Sequence, residues 1–370
     1  MTSELVVRKG LRWVRPASRA LAALVLCGVA AFALTADGRY LVRAGWEESK
    51  ILARRRPISE LVTDPATSSS VREQLRVVQA ARSFAHDSLA LSTGQSFTTF
   101  SRLDRDTLVL VLSGAYRDRL KPHTWWFPVV GRVPYKGYFD FDEARSQARQ
   151  LIAHGFDARL GAASAFSTLG WFNDPVLPTT LRADSLTVAN TVIHELTHNT
   201  FYAPGNAVFN ESFANFVGSR GAERFFRSRG QLGAADETSA RWQDDKILGR
   251  FWQALYATVD SVFNAHPGDQ PERVAQRIVL RDSIYKVALE RLKHEVAPQL
   301  HTISPRALER VRLDNAVLMS RRIYVTGLDE FDAVLDRDGG DLRRAVQDII
   351  AAVKGRERAP FRALHSLIAH

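Results

Sequence analysis

The chain has 370 residues, a formal net charge of +10, 45% hydrophobic and 24% charged residues. That is the composition of a globular protein with a sizeable core, and it excludes disordered, collagen-like and repeat classes. One cysteine excludes an intramolecular disulfide and any thiolate metal cluster, so a metal site here must use His and carboxylates.

Residues 1–56 carry eleven Lys/Arg against four Asp/Glu, a net of +7. The basic character therefore belongs mainly to the N-terminus, no motif of a nucleic-acid reader follows it, and nucleic acid is not an expected partner. Arg8, Lys9, Arg12, Arg15 and Arg19 precede an uncharged stretch from Ala20 to Ala36. At about 1.5 Å per residue this run reaches the lower limit of a bilayer-spanning helix. Residues 1–19 read as a basic cytoplasmic tail, 20–36 as a transmembrane anchor or signal segment, and 37–57 as a stem helix. Residues 58–370 read as the functional domain. The positive-inside rule places the N-terminus in the cytoplasm and that domain on the extracytoplasmic (periplasmic) side of the membrane. A cleaved signal ending near Ala31 and Ala33, or a lipid anchor at Cys27, are the alternatives.

Residues 68–92 show a helical period through Val71, Leu75, Val78, Ala81, Phe84 and Ala85. Thr107–Leu112 is an apolar β-branched run and reads as a strand. Residues 125–140 are aromatic but broken by Pro and Gly, which predicts strand plus turn. A helix is expected over Ala144–His154, with Gly155 as its cap. Short strands are expected over Phe156–Leu160 and Phe166–Phe172. Ser185 to about Tyr202 reads as a helix capped by Asp184 or Ser185 and stopped by Pro204-Gly205. A second helix is expected from about Ala207 to Arg220. The remainder reads as helical blocks near 239–265, 271–296, 305–325 and 340–354. A β-containing first half before an all-helical second half predicts an α+β fold.

The chemistry concentrates at residues 194–211. His194-Glu195-Leu196-Thr197-His198 puts two His on one helix face, about 40° apart in rotation, where both can reach one metal ion. Glu195 points to the side, where it can hold a water. This is the H-E-x-x-H arrangement of zinc hydrolases. In a chain with ten His the pattern arises by chance roughly 0.01–0.02 times, so the match is informative. Such a site needs a third protein ligand, and Glu211, thirteen residues after His198 on the expected second helix, is positioned to fold back onto the pair. A zinc ion, one per chain, is the expected cofactor and a peptide the expected substrate, with Glu195 as general base. Tyr324 is a candidate oxyanion donor, beside Tyr202, Tyr138 and His123. Asp174, Asp140 or a residue of the second helix are candidates to hold a substrate amine. His294-Glu295 with His301 has the wrong spacing for one metal-binding face and reads as solvated helix ends.

The segments at 53–67, 125–140, 167–179, 194–202 and 209–218 resemble a bacterial family of predicted zinc aminopeptidases carrying an N-terminal membrane or lipid anchor. The resemblance runs from about residue 38 to 350, with 313–318 and 339–342 similar to the family's C-terminal part. It implies a zincin-like metallopeptidase of the glutamate-ligand (gluzincin) type. A small β-sheet and the H-E-x-x-H helix would precede a mostly helical C-terminal part. His194, His198 and Glu211 carry over as zinc ligands and Glu195 as catalytic base. The block at 167–176 lies upstream of the metal helix, where an edge strand commonly pairs with substrate. Thr168–Phe172 is the expected edge strand, with Trp171 or Phe172 walling the pocket. An endopeptidase, or a membrane-anchored metal-binding scaffold without turnover, are the competing functions.

Overall fold

The structure, a computed structural model, describes residues 35–102, 109–127, 131–162 and 175–369. It divides into two units, Met1–Arg54 and Arg55–His370. Within the first unit the described part is one helix, α1 (Ala36–Ala53), which covers most of the expected stem. Thr35 caps it by accepting from the Gly38 amide at 3.0 Å, and Lys50 pairs with Glu47 at 2.6 Å.

The expected transmembrane anchor requires correction. Among the described residues no helix is long and apolar enough to cross a membrane. Residues 1–34, which hold the basic tail and nearly all of the 20–36 stretch, lie outside the described residues. The membrane partner and the extracytoplasmic placement rested on that anchor and are withdrawn with it.

The second unit is mixed α/β with small sheets, compatible with the expected α+β class. It opens with β1 (Arg55–Pro57), α2 (Ile58–Leu61) and α3 (Ser69–Asp87). Strands β2 (Thr99–Ser101), β3 (Leu110–Tyr116), β4 (Trp125–Phe127), β5 (Gly131–Val133) and β6 (Tyr135–Tyr138) follow. Then come α4 (Phe141–Ala153) and β7 (Phe156–Ala162). The strands form two short antiparallel pairs, β1–β2 and β4–β5, and an antiparallel three-stranded sheet in the order β6-β3-β7.

Opposed residues in this sheet share a face. On one face Leu112 stands between Lys136 and Leu160, and Leu110 opposite Tyr138. That face packs on Ala144 and Ala148 of α4 as a small apolar cluster. On the other, Ser113 stands between Tyr135 and Arg159, in a row of polar and small residues.

The helical half comprises α5 (Pro178–Leu181), α6 (Ser185–Thr200), α7 (Ala207–Ser228) and α8 (Leu232–Ala265). It continues through α9 (Pro271–Arg291), one π-helical turn (Leu292–Val296), α10 (Pro305–Glu309) and α11 (Asn315–Arg322). It ends with α12 (Leu328–Arg337), α13 (Leu342–Val353) and α14 (Pro360–Ile368). One large core joins α3 to these helices. Leu75, Ile193, Leu196, Phe209, Phe213, Phe216 and Phe331 are among its almost fully buried side chains. Helix α11 is fastened to the sheet at its start: Asn315 N donates to Asp157 Oδ2 at 3.0 Å, and Asn315 Nδ2 to the Tyr116 carbonyl at 2.7 Å. Arg281 of α9 holds the same Asp157 oxygen at 2.7 Å.

Candidate metal centre and active site

Helix α6 forms where the sequence places its signals. Asp184 caps it by accepting from Thr187 N at 2.8 Å. Its buried face is Leu186, Val188, Ala189, Val192, Ile193 and Leu196. Burying that face leaves His194, Glu195 and His198 on the half-buried side. After α6 the chain turns at Gly205, whose φ of 76° lies in the left-handed region that glycine tolerates. Asn210 locks the turn: its Oδ1 accepts from Ala203 N at 2.8 Å and its Nδ2 donates to Ala203 O at 2.9 Å. This puts Glu211, the next residue, opposite the two histidines.

The three side chains converge. His194 Nε2 stands 3.3 Å from Glu211 Oε2 and 3.3 Å from His198 Nε2. His198 Nε2 stands 3.6 Å from Glu211 Oε2. Tetrahedral ligands of zinc at about 2.0–2.1 Å stand about 3.3–3.4 Å from one another, so the trio spans one face of such a tetrahedron. His, His and Glu are the only three-residue group of this kind among the described residues, and they fit a divalent metal such as zinc. Burial pushes the Glu211 carboxyl up, but hydrogen bonds from His194 and His198 bring it down to about 2. Burial disfavours charge on His198, yet the Glu211 carboxylate raises its pKa above the ordinary value.

Glycine sets the distance between the two helices. A Cβ on Gly218 would stand 2.8 Å from Asn190 Oδ1 and 3.1 Å from His194 Cβ. A Cβ on Gly221 would stand 2.9 Å from Ile193 Cγ2. Both positions require a bare backbone where α7 crosses α6.

Tyr324 lies at this site. Burial of its surroundings, then the Glu211 and Glu195 carboxylates, push its hydroxyl up to about 12. The residue as a whole stays 48% open to solvent. The backbone beneath it is clasped from α7. Ser212 Oγ donates to Ile323 O and accepts from Thr326 N, both at 3.0 Å, and Asn215 Nδ2 donates to Tyr324 O at 3.1 Å. Tyr135 of β6 joins from the sheet; burial, then Tyr202 and Glu211, raise its pKa.

Other expected site residues fall elsewhere. Tyr138 is 2% exposed on the opposite face of the sheet. His123 stacks edge-on against Trp125 and Phe156. Asp140 caps α4, accepting from Asp142 N and Glu143 N at 3.0 Å each. Trp171, Phe172, Asp174 and the expected edge strand lie outside the described residues. His294 sits exposed on the π-helical turn beside Glu290, as read from the sequence. Asn210, Ser212 and Gly218 did not emerge from the sequence. All three lie on α7 within two turns of Glu211, and that proximity was the available signal.

A family model described as "Putative aminopeptidase" matches residues 39–361, and the chain belongs to that family. No curated protein and no solved structure matches it.

Proposed function

We propose that this chain is a zinc-dependent peptidase acting on the amino-terminal end of peptides. In this reading His194, His198 and Glu211 hold the metal, and Glu195 is the general base. The observation that carries it is the convergence of three ligand atoms at tetrahedral edge lengths, with Glu195 one residue from the first ligand. Membership of an aminopeptidase family supports the substrate class. Tyr135, on the polar face of the small sheet, is close enough to feel the Glu211 carboxylate, which is consistent with a zincin-like arrangement that belongs to the same proposal.

Zinc, when bound, would polarise the scissile carbonyl and lower the pKa of a water to about 7. Glu195 accepts a proton from the attacking water and returns it to the departing amine. Tyr324 stays protonated at neutral pH and donates a hydrogen bond to the oxygen on which negative charge develops. A structural metal site has no need of a carboxylate at position 195, which favours turnover over a scaffold role.

The test is cleavage of unblocked and N-acetylated versions of the same peptides by the zinc-loaded full chain. An aminopeptidase cleaves the former and rejects the latter. Glu195→Gln is expected to stop cleavage while metal stays bound. Cleavage by that variant at the wild-type rate refutes the mechanism, and equal cleavage of blocked peptides replaces the aminopeptidase reading with an endopeptidase.

A further inference from the structure

We propose that Asp245 is a positioning residue for this site: its carboxylate orients the Asn215 side-chain amide, and that amide holds the Tyr324 backbone in place. This rests on the peptidase reading of the site, in which Tyr324 is the oxyanion donor.

Three observations carry it. First, the contacts form one chain. Asn215 Nδ2 donates to Tyr324 O at 3.1 Å and to Asp245 Oδ2 at 3.3 Å. An amide nitrogen carries two hydrogens, so both bonds form at once. Asn215 lies four residues after Glu211 on α7, one turn along the same side of the helix. The helix that carries the third ligand residue therefore also clasps Tyr324, and Asp245 reaches the clasp from α8.

Second, the carboxylate decides which way the amide points. The two ends of an Asn side chain are alike in size, so hydrogen bonding and not shape orients it. Burial pushes the Asp245 carboxyl up to about 6, with the Asn215 hydrogen bond opposing, so at neutral pH it is an acceptor. Tyr324 O is an acceptor as well. An amide turned the other way would set its oxygen against both. With Asp245 present only the donating orientation is satisfied.

Third, the segment that carries Tyr324 lies directly on α8. Positions 245, 249 and 253 of that helix are spaced by four and share a face. A Cβ on Gly249 would stand 2.6 Å from Val325 O, and Gln253 Nε2 donates to the same oxygen at 3.4 Å. The backbone around Asp245 is itself held on both sides. Asp244 accepts from His301 N and Thr302 N at 2.7 Å each, and Lys246 Nζ donates to Asp332 at 2.7 Å. The Asp245 carboxylate is presented from a fixed point, as a positioning group requires.

The test reads Tyr324 both with and without turnover, on the full chain, with circular dichroism confirming the fold. Hydrogen exchange in Asp245→Ala should rise over residues 323–326, with α7 and α8 unchanged; this readout needs neither metal nor activity. In the zinc-loaded enzyme, kcat on an unblocked peptide should fall about tenfold with KM little changed, as for a displaced donor. In a Tyr324→Phe background the same change should have no further effect on kcat, because Asp245 acts through the missing hydroxyl. Asp245→Asn, a milder change that keeps an acceptor oxygen, should restore part of the rate. Unchanged exchange over 323–326 in Asp245→Ala overturns the positioning role. So does a loss of kcat that is equally large with and without the Tyr324 hydroxyl, or an Asn variant as slow as the Ala variant. If the wild type cleaves no unblocked peptide, the peptidase reading fails instead, and the exchange measurement still decides whether Asp245 holds the segment.

Discussion

Gly218 and His194 meet with no space for a side chain between them: a methyl at position 218 would press on the His194 Cβ at 3.1 Å and on Asn190 Oδ1 at 2.8 Å. This contact fixes how closely α7, which carries Glu211, approaches α6, which carries both histidines. Gly218→Ala should force the helices apart at a cost of about 1–3 kcal/mol. Metal affinity should fall at least in proportion, with helix content unchanged by circular dichroism. Wild-type affinity in this variant would mean that the helix spacing does not control the site.

Asp184 joins the start of α6 to α8. Its carboxylate accepts from Thr187 N and from Arg241 Nη1 and Nη2 at 2.8–3.1 Å. The Arg241 hydrogen bonds, against the opposing effect of burial, bring its pKa from 3.8 to about 2. A lowered carboxyl pKa adds stability that is complete above the unfolded value and is lost as pH falls from about 4 toward about 2. After discounting for the half-exposed pair the gain is about 1 kcal/mol or less. Asp184→Asn should keep the cap but lower the melting temperature at pH 6, with the difference from wild type vanishing near pH 2. A difference that stays constant across that range would exclude the ion pair as its source.

Asp332 is 7% exposed and joins three groups from two helices. Arg220 of α7 donates to it at 2.8 and 2.9 Å, and Trp242 Nε1 and Lys246 Nζ of α8 at 2.9 and 2.7 Å. Asp332→Ala leaves the Trp242 N–H without its acceptor, Arg220 with Glu223 alone at 3.0 Å and Lys246 with only the longer Asp329 contact at 3.9 Å. It should cost about 3–5 kcal/mol in chemical denaturation. A loss under about 1 kcal/mol would mean the network relaxes onto water.

Tyr324→Phe removes only a hydroxyl. Its clasp runs through the backbone and Ser212 and Asn215, so the segment should hold its shape. The expected result is a fall in kcat of about tenfold to a thousandfold with KM little changed. A rise in KM at constant kcat would make Tyr324 a binding group instead.

The sequence carried the motif helix well, because its signals are local. Asp184 at the start, the apolar face through Ile193 and Leu196, and Pro204-Gly205 at the end lie within about twenty residues of one another. Glu211 was legible for the same reason: a short turn returns it to its partners. The order of strands before helices was also plain, while α12 and α14 escaped notice, being short amphipathic helices packed by tertiary contact. The row Tyr135–Ser113–Arg159 could not be read, since it depends on register between strands far apart in sequence. A slip of one residue there would send Arg159 to the opposite face. Gly218 was hidden by its commonness, because only the crossing of α6 and α7 distinguishes a required glycine from a tolerated one.

The proposed function stands on one zinc ion held by His194, His198 and Glu211. Elemental analysis of the full-length protein after zinc reconstitution and desalting, beside His198→Ala, Glu211→Ala and Glu195→Gln, tests it most directly. About one zinc per chain is expected in the wild type and in Glu195→Gln, with loss in the other two. A folded wild-type chain that retains no metal, or a His198→Ala variant that retains it fully, would contradict the account and reduce residues 194–211 to a packing motif.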